Sequence, residues 1–149
     1  MNKLPILLAT LLLSALPAVA DEFLYMICKN NINVKVIELP SGKTTVNQDG
    51  EEFILFKVDV TNKKLRNHVF SDWVDVTVEG DQIIQDTKIT AGGTTAQTNA
   101  SFPLNLPGPI TIHNQWTKPS ELRVAKAEGT CKEIDSFTWD EGVERFGKK

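Results

Sequence analysis

General acid–base chemistry near neutral pH would fall to two histidines, His68 and His113, working with carboxylates. His68 sits beside a polar turn, Asn62–Asn67, and His113 lies on the polar side of an alternating run from Ile110 to Trp116. The densest carboxylates are Asp72 and Asp75, followed after Gly80 by Asp81. Three oxygen donors around one hairpin end suit a hard cation, as do Asp49, Glu51 and Glu52. Neither group has the D-x-[DN]-x-[DN]-G spacing that makes a calcium loop specific, and both read as solvated turns. A carboxylate pair would also serve glycoside hydrolysis, but nineteen acidic residues make some pairing inevitable and the signal unspecific. There is no G-x-S-x-G elbow, and Gly92-Gly93 lacks the strand–helix context and the lysine of a phosphate loop. The sequence therefore points to no cofactor, no metal set and no catalytic constellation, and the expected protein is not an enzyme.

The aromatic residues say more. Trp73 falls on the polar side of its run, Trp116 shares a face with Asn114, and Trp139 shares one with Phe137. Large aromatics on an exposed sheet face mark ligand or protein contacts, whereas in a core they only fill space. The candidate binding set is Trp73, Trp116, Asp72, Asp75 and His113. Asn99-Ala100-Ser101 also matches the glycosylation sequon, which matters only in a eukaryotic host.

The elements that must position these residues follow a leader. Lys3, an apolar run from Leu4 to Leu16 and the small-residue site Ala18-Val19-Ala20 have the three parts of a secretory signal. The run is too short to span a bilayer. Cleavage is expected after Ala20, giving a periplasmic or secreted chain of one β-rich domain, residues 21–149, that is not embedded in a membrane. With Lys3 removed, 15 basic residues face 19 acidic ones, and no basic stripe exists to meet phosphates, so nucleic acid is excluded as a partner. In an oxidising compartment the two cysteines, Cys28 and Cys131, are expected to form a disulfide that makes the two ends of the domain neighbours.

Period-two alternation dominates the rest. Expected strands are Phe23–Cys28, Asn33–Leu39, Glu52–Thr61, His68–Val78, Gln82–Ile89, Ile110–Trp116, Glu121–Ala127 and Ile134–Trp139. Asp49-Gly50 reads as a tight turn. Phe70, Val74, Val76 and Val78 are expected to face inward, and Phe53 and Leu55 to bury the second side of their strand. The prolines make Phe102–Pro109 a poor central strand. The tail from Asp140 to Lys149 is expected to form one or two helical turns. Short strands and frequent turn signals predict an all-β fold, a small antiparallel sandwich or barrel with one disulfide.

Three functional classes are compatible with this pattern. The preferred one is an exported non-enzymatic binding protein that holds a glycan or a protein, such as an envelope hydrolase or toxin. The second is a structural subunit of an envelope or extracellular assembly, its strand edges pairing with copies of itself. The third is a cell-envelope hydrolase using His113 or a carboxylate such as Asp75 as base. Fold class alone does not choose among them.

Overall fold

A computed structural model of the chain describes residues 23–147, and the expected export signal and its cleavage site lie outside them. Nine strands and one helix follow in order: β1 Phe23–Glu38, β2 Thr44–Asp59, β3 Lys64–Asn67, β4 Val74–Asp75, β5 Thr77–Glu79, β6 Gln82–Ala91, β7 Thr94–Pro103, β8 Gly108–Lys118, β9 Glu121–Glu133 and α1 Ser136–Phe146. They form a single antiparallel sheet in the order β4-β3-β2-β1-β9-β8-β7-β6-β5. The two ends of that order are one residue apart in the chain, because only Val76 separates β4 from β5. Val76 is buried, and its N–H donates to the Lys63 carbonyl at 3.0 Å. The sheet is thus a nearly closed barrel.

Closure is confined to one end. On β2 only Phe56–Asp59 pair with β3, and on β6 only Gln82–Ile84 pair with β5. Inside this closed end Met26, Phe56, Val58, Leu65, Ile83, Phe102 and Ile110 form the core, with the Phe56 and Phe102 rings edge to face at 4.8 Å. Cys28 and Cys131 stand directly opposite in the β1–β9 register and are joined by the expected disulfide, both fully buried. The first strand and the last are therefore neighbours, as the cysteine pair implied.

Helix α1 covers the outside of β2. Asp135 caps it, its carboxylate accepting from the Thr138 N–H at 2.8 Å. Gly142 lets the helix approach closely: a Cβ there would come within 2.7 Å of Leu55 Cδ2. Trp139 is buried beneath the helix, 6.3 Å from the Tyr25 ring.

Several expectations need correction. The two strands expected over Phe23–Leu39 are one sixteen-residue strand. No turn forms at Asp49-Gly50. The β1–β2 hairpin is made instead around Gly42, whose φ of 73° suits glycine, and the register it sets carries β2 straight through Gly50 opposite Ile32. The run His68–Val78 is broken into a loop followed by β4 and β5, and Phe70, expected to face inward, is exposed. Leu55 is buried on the second side of β2, but Phe53 is 61% exposed because α1 does not reach it. Ile134–Trp139 is not a strand, since the cap at Asp135 starts the helix earlier than expected.

Candidate functional site

Beyond the closed end the six long strands continue, their inner face buried at Ala100, Ala125 and Ala127, half-buried at Ile32, Val34, Val36, Ile112 and Trp116, and exposed at its two flanks. The registers stack this face into three cross-strand rungs. Nearest the core lie Gly50, Ile32, Ala127, Ile112, Ala100 and Gln85; next come Gln48, Val34, Ala125, Asn114, Thr98 and Thr87. The outermost rung is Val46, Val36, Arg123, Trp116, Ala96 and Ile89, five of its six side chains apolar. The alternation that fills the core further down is mostly apolar again in the first and outermost rungs, whereas four side chains of the middle rung, Gln48, Asn114, Thr98 and Thr87, are polar. Val46 and Ile89, on the two flanking strands, are 41% and 61% exposed.

The floor of this open half is polar. Asn30 is fully buried, and its side-chain N–H donates to Glu52 at 3.3 Å while its Oδ1 has no hydrogen-bond partner. Gly129 stands opposite Asn30 and must be glycine, because a Cβ would come within 1.9 Å of the Lys29 carbonyl oxygen and 2.6 Å of Asn30 Oδ1. Asn114 Oδ1, in the middle rung, is likewise buried and unpartnered. Buried amide oxygens without a donor are costly, and both lie on the inner face of the sheet. At the seam a cleft of about 240 Å³ is lined by Phe56, Leu65, Phe70, Asp72, Val74 and Gln85. Two strand edges frame the opening. Among the described residues no strand pairs with Thr44–Ile54 of β2 or with Gln85–Ala91 of β6 on the side facing it.

The sequence-derived candidates separate into three places. Trp116 lies on the inner face, half-buried, where it borders a small hollow with Thr94, Lys118, Glu121 and Arg123. Asp72 reaches the seam cleft below it. His113 is on the outer face, in a polar rung running Asp86, Asn99, His113, Lys126, Asn33 and Asp49 across six strands. Grooves of about 480 Å³ and 460 Å³ flank Lys126 and Glu128 on that side. Trp73 belongs to the closed end, in the loop before β4 rather than on a strand, with its ring 6.4 Å from Phe23. Phe23 is thirteen residues along β1 from Val36, which shares a rung with Trp116, so roughly 43 Å of strand separates the two tryptophans' levels.

Trp73 also has an occupant of its own. Lys57 Nζ lies 4.2 Å from the Phe23 ring centre, 5.3 Å from Tyr25 and 6.0 Å from Trp73, a cation held among three aromatic faces. Asp75 is ion-paired to Lys64 across β3 and β4. It is not brought together with His113, which sits on β8 and faces outward. Among the described residues no three His, Cys, Asp or Glu side chains gather as a metal site would require.

His68, left at a turn by the sequence, is buried and structural. Its Nδ1 accepts from the Leu55 N–H at 3.1 Å, and the His68 backbone N–H donates to the Leu55 carbonyl at 3.0 Å. Burial holds its pKa below the ordinary histidine value. What sequence reading missed is the inner-face set around Trp116, above all Val36, Asn114 and Ile89. Their alternation was visible, but which strands face them was not.

No helix among the described residues is long and apolar enough to cross a membrane. Compared with protein-family models, curated proteins and solved structures, the chain matches none.

Proposed function

We propose that this chain is an exported, non-enzymatic binding protein whose open half-barrel receives an extended segment of a partner protein in the envelope or extracellular space. One observation carries the reading: the inner face of the core runs on past the last closing strand as three further rungs, the outermost apolar at five of its six positions, Trp116 among them. Patches of this kind on a folded domain are characteristic of interaction surfaces. An extended segment is the ligand that best answers the site's polar needs. Its backbone groups would meet the unpaired edges of β2 and β6, and its alternate side chains would meet the rungs.

The test is capture by the immobilised oxidised protein from extract and culture fluid of its source. A protein retained by the native chain and lost from Val36→Asp and Trp116→Ser, with folding intact, supports the reading. Equal retention by native and variant chains opposes it.

A second reading rests on the outer face, whose polar rung and two grooves around Lys126 and Glu128 offer hydrogen-bonding groups of the kind a glycan uses. Glycan binding lost in His113→Ala and Lys126→Ala, but kept in Trp116→Ser, would favour that face.

A further inference from the structure

The gap between the free edges of β2 and β6 has a direction and a width. Successive antiparallel steps lead from β2 through β1, β9, β8 and β7 to β6, so the edges Thr44–Ile54 and Gln85–Ala91 run in opposite directions. β2 descends toward the closed end and β6 rises from it. A single strand laid between them would be antiparallel to one edge and parallel to the other. Two strands, antiparallel to each other, satisfy both edges. The closed end already shows this solution. There β3 rises beside β2, and the run Val74–Glu79, comprising β4 and β5, descends beside β3 and then beside β6. The gap above is therefore two strands wide at its foot. The loop 68–73 stands at that foot, where the Val69 and Phe70 N–H groups donate to Asn67 Oδ1 at 2.9 and 3.0 Å and the chain turns back toward β4.

We infer that the partner segment is a β-hairpin that enters turn first, its N-terminal strand antiparallel to β6 and its C-terminal strand, rich in lysine or arginine, antiparallel to β2. The inference rests on the partner-binding reading and gives its occupant a shape and a charge. Because the loop 68–73 closes the foot of the gap, a strand pair enters from the open end. The strand beside β6 then descends and the one beside β2 returns, which fixes their order. On the inner side the gap is flanked by Val46 of β2 and Ile89 of β6, the exposed large apolar residues of the rungs, and hairpin side chains at that level would cover both. Charge decides which strand is basic. β2 presents Asp49, Glu51 and Glu52 with no Lys or Arg between Thr44 and Phe53, whereas β6 presents Asp86 and Lys88 and favours neither sign. Among the described residues Lys29 of β1 reaches Glu51 at 3.6 Å, which leaves the β2 set net acidic. Opposite charges facing across strands are stabilising and like charges are not. The backbone of Leu55 bonds His68 on the β3 side, so by the period of two the N–H groups of Phe53, Glu51, Asp49 and Asn47 face the gap.

The probe is a set of synthetic peptides. The first is a hairpin closed by a terminal disulfide, with valine and threonine alternating in its first strand and valine and lysine in its second. The others are the same hairpin with glutamate for lysine, one with the two strands exchanged, and the two strands as separate linear peptides. Binding to the oxidised protein would be measured by calorimetry, and amide hydrogen exchange would be followed along β2 and β6. The first hairpin should bind about tenfold or more tighter than every other peptide and slow exchange in Thr44–Ile54 and Gln85–Ala91 together. Asp49→Lys with Glu51→Lys should turn the preference to the glutamate hairpin. Asn47→Pro, which removes an N–H facing the gap and none from the β1 ladder, should weaken binding while thermal unfolding stays near native. Linear strands that bind as tightly as the hairpin, protection of one edge alone, or no binding by the first hairpin would overturn the inference. So would a doubled mass of the chain alone in light scattering, which would give the gap to a second copy. The partner-binding reading fails separately, when capture is indifferent to Val36→Asp and Trp116→Ser. Capture lost from those variants, beside equal binding of hairpin and linear peptides, sinks the hairpin alone.

Discussion

Trp116 and Arg123 stand directly opposite each other across β8 and β9, on the inner face and three rungs beyond the closed core. An arginine in that rung, beside Val36, belongs to a surface that meets water or a partner rather than to a sealed interior. On the proposed reading the pair marks where the continuous inner face stops serving stability and becomes available for recognition. Its energetic signature should differ sharply from that of the core below it.

Truncating the core and the open face should give different costs. Ile110→Ala, at a fully buried position, should destabilise by about 2–5 kcal/mol. Val36→Ser and Trp116→Ala, on the half-buried face, should each cost about 1 kcal/mol or less. Urea unfolding of the three variants checks this. A cost for Trp116→Ala as large as that for Ile110→Ala would make the face part of the core.

Trp73 should behave as a structural residue despite its 39% exposure. Its ring helps hold Lys57 beside Phe23 and Tyr25, so Trp73→Ala and Lys57→Met should each lower stability by about 0.5–1 kcal/mol. Their effects should be less than additive, because they remove members of one cluster. A double-variant cycle in thermal unfolding measures the coupling, and strict additivity would dissolve the cluster.

Acid should loosen the attachment of β2 to the loop after β3. Burial disfavours the charged form of His68, so its folded pKa lies below the unfolded value of 6.5. The unfolded chain then binds the proton more readily. The associated stability is complete above that value and is lost as pH falls from it through the folded pKa, at most about 1.4 kcal/mol per pH unit. His68→Gln should flatten this part of the stability–pH profile. Parallel profiles for the native and variant proteins between about pH 7.5 and 5 would remove His68 from the account.

The disulfide closes a sequence separation of 103 residues but joins strands already paired along most of their length. Cys28→Ala with Cys131→Ala should therefore leave the barrel assembled while reducing its stability by about 2–5 kcal/mol. Denaturant midpoints, together with far-UV circular dichroism of the variant, check both parts.

Much of the fold was legible because alternation assigns faces. Phe56 with Val58 and Ile110 with Ile112 each declared one side of a strand as core. The cysteine pair declared one long-range neighbour. Alternation does not say where a barrel closes, and that depends on how short β3, β4 and β5 are. Local turn chemistry at Asp49-Gly50 lost to pairing set by the distant hairpin at Gly42. Trp73 read as a strand residue because Val74, Val76 and Val78 follow it in alternation, though the chain only becomes extended at Val74. For the site, Trp116 and Asn114 were seen to share a face, but its openness appears only once the strands are arranged.

The most direct test of the open half-barrel as a binding surface is quantitative capture from extract and culture fluid of the source. Three immobilised forms would be compared by mass spectrometry: the native chain, a Val36→Asp, Trp116→Ser variant, and a His113→Ala, Lys126→Ala variant. The account predicts a protein enriched on the native chain, equally enriched on the outer-face variant and lost from the inner-face variant. Capture that survives the inner-face changes, capture lost only with the outer face, or no protein enriched on the native chain would contradict it.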